Sequence, residues 1–166
     1  LIGTNGIIPY HEDLEYIKNI AENNDDVPGK YWLRPTLLWF SSTFNPDILF
    51  AAGVFCSLLL AIGVFPALAC SGVWICYLSL MVVGKPFLSF QWDILLLETC
   101  LLSVLFLPAI KFHGIRHRVH MPNIARLLLI GLLFKLMFES GIVKFTFFAP
   151  DGTNTWRADS ALDYHY

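Results

Sequence analysis

ILFAAGVFCSLLLAIGVFPALACSGVWICYLSLMVV, residues 48–83, runs without a single charged side chain. As one helix it would be about 54 Å long, against a bilayer hydrocarbon core of about 30 Å. Tilt does not absorb such an excess, and Gly63 and Pro66 lie near the middle of the run. The stretch therefore reads as two membrane helices, 48–64 and 66–83, joined by a tight turn. Working outward, further apolar segments cover 94–110 and 124–148. The expected fold is all-α: a multispanning transmembrane helical bundle of about four membrane helices, with polar and aromatic segments on the non-cytoplasmic face.

Composition agrees. The 166-residue chain is 56% hydrophobic and 14% charged, with mean hydropathy +0.60. Globular soluble domains are about 45–50% apolar and about 25% charged. A net charge of −2 and the lack of an arginine-rich stripe with interleaved aromatics set nucleic acid aside as a partner. Cys56, Cys70, Cys76 and Cys100 all fall in apolar stretches without a CxxC pair. They read as small hydrophobes between helices rather than a disulfide framework. Leu1 and Tyr166 do not read as natural ends, so the chain is expected to be a piece of a longer protein.

Charge sets the expected topology. Lys111–Asn123 (KFHGIRHRVHMPN) carries Lys111, Arg116 and Arg118, with Arg126 just beyond, and no acid. The positive-inside rule puts it in the cytoplasm. With two helices in 48–83, residues 1–47, 84–93 and 149–166 then share the non-cytoplasmic side. Residues 1–47 form a polar and interfacial segment, with seven Asp/Glu against three Lys/Arg. Within it Glu22–Lys30 (ENNDDVPGK) reads as a loop. Tyr31–Phe40 (YWLRPTLLWF), broken by Pro35, is too short to span and reads as interfacial, since Trp and Tyr favour headgroup level.

Ionisable residues inside the apolar segments carry the functional signal, because charge is costly in hydrocarbon and such groups face a protein interior or a polar cavity. Glu98 lies in WDILLLETCLLSVLFLPAI, about 7 Å deeper than Asp93, which can cap exposed helix amides beside an interfacial Trp92. Lys135 and Glu139 stand four apart on one helix face. They can form an ion pair that locks the bundle, or line a polar pocket with Glu98. Lys144 lies nearer the helix end and can snorkel. His113, His117 and His120 have ligand-like spacing, but Gly114 and Pro122 weaken a helix there and no nearby carboxylate completes a site. The basic loop is the preferred reading, and no metal or cofactor is expected. Thr155–Tyr166 (TWRADSALDYHY) matches no catalytic triad and reads as a binding surface or hydrogen-bond network. No nucleotide-binding glycine loop, HExxH or nucleophile elbow is present, so no catalytic residue is assigned.

Three stretches carry a family resemblance: YLSLMVVGKPFLSFQWDILLLET (77–99), LLFKLMFESGIVKF (132–145) and TWRADSALDYHY (155–166). Together with LIGTNGIIPY and YWLRPTLLWF, they resemble the lipase maturation factor family across nearly the whole chain. The resemblance implies a multispanning membrane protein, in animals of the endoplasmic reticulum, or of the inner membrane in a bacterium. It also implies a role in folding and assembling secreted, lipoprotein lipase-like clients into active form. The positions matching its motifs are Gln91, Trp92, Asp93, Glu98, Glu139, Lys144, Trp156, Arg157, Asp163, Tyr164 and His165. With Lys135, they form the candidate client-binding or functional polar cluster. FTFFAPDGTNTWR (145–157) departs from the family in being longer than the compact turn expected before the Trp-Arg pair.

The expectation is thus a membrane-embedded maturation factor, in contact with membrane lipid and with lipase clients at the luminal face. The alternative is a membrane enzyme, with Glu98, Lys135 and Glu139 lining a pocket for a lipid-like substrate.

Overall fold

The computed structural model describes residues 2, 7–24, 29–40, 45–85, 87–107, 122–148 and 152–164. The basic loop with its three histidines, His165 and the side chain of Tyr164 lie outside the described part. Among the described residues every helix or turn of regular structure is helical, apart from a single bridge between Ile2 and Ile8. The helices are α1 (Tyr10–Asn23), α2 (Lys30–Leu33), α3 (Pro46–Ile62), α4 (Pro66–Val83), α5 (Gln91–Val104) and α6 (Asn123–Thr146), with short 3-10 turns at Leu37–Trp39 and Ala161–Tyr164. The chain divides into two compact units, Leu1–Pro122 and Asn123–Tyr166.

In the first unit α4 is the central helix, packed against both α3 and α5. The end signals of α3 are local. Asn45 Oδ1 accepts from the Ile48 N–H at 3.4 Å, and Pro46 follows at the first turn, where its missing N–H costs nothing. At the far end Gly63 takes φ 83°, a left-handed conformation that glycine adopts without a Cβ penalty. The Gly63 and Val64 N–H groups then return to the Leu59 carbonyl at 3.0 and 2.9 Å, closing the helix. Pro66 restarts the chain as α4. Small residues let the two helices approach. A Cβ on Gly72 would lie 2.7 Å from Cys56 Sγ, and one on Gly53 3.4 Å from Cys76 Cβ. Such contacts are how helices associate where the solvent is itself apolar.

The amino-terminal segment closes one end of this bundle. Tyr10 and Leu14 from α1 and Leu38 from the 3-10 turn form a buried cluster with Leu49, near the start of α3, and Val83, at the end of α4. Tyr10, Leu14 and Leu38 thus sit at the end of the first unit where α3 begins and α4 ends. The second unit is α6, 24 residues long, and the turn that follows it.

Of the described helices, one is both long and apolar enough to cross a membrane: α4, with 18 residues and mean hydropathy 1.8. α3 is apolar but has 17 residues. α6 is long enough, at about 36 Å, but carries Arg126, Lys135, Glu139 and Lys144. α5 starts at Gln91, three residues before the expected segment, because its first turn is capped from within the helix. The all-α class is observed, with one helix of clear membrane length.

Candidate functional site

The start of α5 is organised by Asp93. It stands at the third helical position, is 5% exposed, and its Oδ2 accepts the Phe90 N–H at 3.0 Å. A carboxylate there also meets the positive end of the helix dipole. Its other oxygen accepts from the Tyr77 hydroxyl of α4 at 2.5 Å. Asp93 thus lies inside the first turn and accepts backwards from the Phe90 N–H, rather than preceding the helix as expected, and it also makes a buried tie between α4 and α5. Tyr77 was not singled out in the sequence, because a lone Tyr in an apolar helix carries no marker of its partner. The clamp fixes the chain on which Phe90 and Trp92 stack, centroids 4.7 Å apart, with Trp92 65% exposed. Phe87 is exposed nearby in sequence.

The aromatic segment is held by a second clamp. Arg34 pairs with Asp13 of α1 through two contacts, Nε to Oδ2 at 3.1 Å and Nη2 to Oδ1 at 3.4 Å. The Trp39 indole N–H donates to the Arg34 carbonyl at 2.7 Å. Ser79 of α4, 2% exposed, accepts the Leu37 N–H on Oγ at 3.1 Å. Its carbonyl accepts from the Thr36 hydroxyl at 3.3 Å. Buried polar groups need such partners. Thr36 and Ser79 are functional parts of the fold that the sequence reading missed, since both look like ordinary small polar residues. Lys30 Nζ sits over the Tyr31 and Trp39 rings, at 5.3 and 5.4 Å from their centres. Beyond the clamp Trp32 is 86% exposed, and Tyr31 and Phe40 stack at 5.8 Å, also exposed. Burial, then the nearby Asp47 carboxylate, raises the Tyr10 phenol above its ordinary range.

In the second unit Asn154 plays the organising part. Its Nδ2 donates to the Phe145 carbonyl, one of the orphaned acceptors at the end of α6, at 3.2 Å. Its Oδ1 accepts from the Trp156 and Arg157 N–H groups at 3.0 and 3.1 Å. The turn after α6 is thereby folded back, so that Lys144 Nζ lies 4.4 Å from the Trp156 ring centre and Arg157 5.3 Å from that of Phe148. The long stretch 145–157, which departs from the expected compact turn, contains this asparagine.

The candidate residues thus fall into groups. Gln91, Trp92 and Asp93 share the first turn of α5, and Glu98 lies half-buried further along it. Lys144, Trp156 and Arg157 are brought together in the second unit, while Lys135 and Glu139 stand one turn apart on an exposed stretch of α6. Asp163 lies in the closing 3-10 turn and is exposed. Among the described residues, cavities flank α4 on two sides. One, about 180 Å³, lies between α3 and α4. The other, about 310 Å³, lies between α4 and the aromatic segment. Both have apolar linings. Among the described residues no cluster of His, Cys, Asp or Glu could hold a metal ion.

A family model described as the lipase maturation factor transmembrane domain matches residues 1–166. The chain belongs to the lipase maturation factor family. That match makes it a membrane protein. Lipase maturation factor 2 of Xenopus laevis is 37% identical over 179 residues, covering 100% of this chain and 23% of that protein. Lipase maturation factor 2 of Homo sapiens is 38% identical over 156 residues, covering 81% of the chain and 21% of the protein. Lipase maturation factor 1 of Mus musculus is 27% identical, covering 100% of the chain and 29% of the protein. The chain therefore spans about a quarter of the length of these lipase maturation factors. No solved structure matches it.

Proposed function

We propose that this chain is the membrane-embedded part of a factor that helps secreted lipases fold and assemble into active form. The names of its relatives support lipases as clients. In this reading α3, α4, α5 and α6 are four spans of a multi-pass protein of the endoplasmic reticulum membrane. The basic Lys111–Asn123 loop is cytoplasmic, and residues 1–47, 84–93 and 149–166 lie on the luminal side, with Tyr31–Phe40 at the membrane interface. The observation that carries the client-binding part is the pairing of exposed aromatics with buried polar clamps at one end of the first unit: Trp32 and Phe40 beyond Thr36–Ser79, Phe90 and Trp92 beyond Tyr77–Asp93. Rigidly held apolar surface suits contact with the exposed apolar surface of a folding intermediate.

The test is complementation. Secretory cells lacking the endogenous factor are supplied with the full-length protein carrying Trp32→Ser, Phe40→Ser, Phe90→Ser and Trp92→Ser together. Secreted lipase activity and the amount of client co-isolated with the factor should both fall, while the factor's membrane abundance stays unchanged. Normal lipase activity from this variant would remove the aromatic rim from the mechanism.

A further inference from the structure

The two cavities beside α4 lie on opposite faces of it. At about 100° per residue, Val73, Cys76, Tyr77 and Leu80 face α3, while Trp74, Ile75, Leu78 and Ser79 lie roughly half a turn away. Among the described residues the second face meets the Lys30–Phe40 segment, made of two short helical turns and the irregular chain between them. Tyr31, Pro35 and Phe40 wall the groove from that side, and Trp74, Ile75 and Leu78 from α4.

Depth makes this groove informative. Ser79 lies four residues inside the end of α4 and Trp74 nine, or about 6 and 14 Å. If α4 crosses the bilayer, the groove spans about 8 Å of one leaflet's roughly 15 Å of hydrocarbon, on the half nearer the midplane. Non-helical backbone survives at such depth where its polar groups are satisfied by protein. Three donors of the segment meet that condition. The Leu37 N–H, the Thr36 hydroxyl and the Trp39 indole each have a protein acceptor. What remains facing the groove is apolar, and an apolar slot holds water poorly because water needs polar partners. Lys30 stands beside this slot, its ammonium over the ring of the wall residue Tyr31. Among the described residues no carboxylate forms an ion pair with it. A hydrocarbon slot reaching toward the midplane, with a cation at its side, is complementary to a phosphate-bearing lipid.

We propose that the groove between Lys30–Phe40 and α4 holds one acyl chain of a phospholipid from the non-cytoplasmic leaflet, with Lys30 against its phosphate. The segment then acts as a wedge that reads the membrane, and clamped Ser79 keeps the wedge in register. This rests on the spanning arrangement proposed above, which the experiment checks separately.

The test uses the full-length protein in phosphatidylcholine vesicles containing a trace of phosphatidylcholine with a diazirine in one acyl chain. Irradiation, digestion and mass spectrometry then locate the adducts. The proposal expects adducts concentrated on Tyr31–Phe40 and Trp74–Leu78, and their loss in Leu78→Trp, which fills the slot. Lys30→Gln should lower them about fivefold, the scale of one partly exposed charge pair. Adducts spread evenly around α4 and indifferent to Leu78→Trp would mean an ordinary lipid boundary and overturn the site. Absence of adducts from both stretches would mean that another span of the longer protein covers the groove, which also overturns it. A diazirine fatty acid labelling as well as the phospholipid, with no effect of Lys30→Gln, would overturn the phosphate assignment. Extraction of the protein by alkaline carbonate would instead defeat the membrane-spanning reading itself.

Discussion

Replacing Tyr77 with phenylalanine removes one oxygen atom and tests the tie between α4 and α5. Asp93 is 5% exposed and has two donors, the Tyr77 hydroxyl and the Phe90 N–H. A hydrogen bond to a charged group contributes about 1.5–3 kcal/mol when its loss leaves the charge buried and unsatisfied. At about 1.4 kcal/mol per factor of ten, Tyr77→Phe should shift the unfolding equilibrium by about 10- to 150-fold. Asp93→Ala removes both acceptors and orphans two donors, so a loss of about 3–5 kcal/mol is expected. Asp93→Asn should be mild, at about 1 kcal/mol or less, because its oxygen can still accept from Phe90 while its amide donates to the Tyr77 oxygen. The assay is reversible denaturation of the purified full-length protein in micelles, with the Tyr77→Phe/Asp93→Asn double variant completing a cycle. The expected order of stability is wild type, Asp93→Asn, Tyr77→Phe, Asp93→Ala. The reasoning fails if Tyr77→Phe lies within about 0.5 kcal/mol of wild type, the range of an ordinary surface substitution.

Gly72→Ala should destabilise the α3–α4 contact by about 1–2 kcal/mol through overpacking against Cys56, and Cys56→Ala in the same chain should restore much of it in the same denaturation assay. Ser79→Ala strips the buried Leu37 N–H of its acceptor, so hydrogen exchange across Thr36–Phe40 should quicken by about tenfold or more, whereas Ser79→Thr, which keeps the hydroxyl, should protect it. Asn154→Ala releases three hydrogen bonds, and limited proteolysis should then cut near Trp156–Ala158 about tenfold faster, with α6 itself still protected.

The helices were legible because their signals are local. An uncharged run broken by Gly63 and Pro66 marks α3 and α4, and the turn between them uses the conformations those residues favour. The family was legible from its motifs, and Asp93 from its place before an apolar run. What stayed hidden was every partner contributed from a distance. Ser79 meets Leu37 across 42 positions, and Tyr77 meets Asp93 across 16, so neither spacing falls within a helical or capping pattern. Thr36 and Asn154 were passed over for the same reason: a small polar side chain reveals its acceptor only once the chain has folded back. The charges within the apolar segments are the most conspicuous feature of the sequence. Yet the buried polar contacts that hold the first unit's aromatic surfaces come from the neutral Tyr77, Thr36 and Ser79 and from Asp93, at the edge of an apolar run.

The turn from Gly63 to Phe65 has a bearing on how this protein is made. Gly63, Val64 and Phe65 carry no cationic side chain, and neither do the helices on either side. A ribosome feeding such a hairpin to the insertion machinery offers it no arginine or lysine to retain at that tip. In the spanning arrangement proposed above, the pair would borrow its orientation from what is synthesised before and after it, with the arginines that follow α5 as the instruction for helices already emerged.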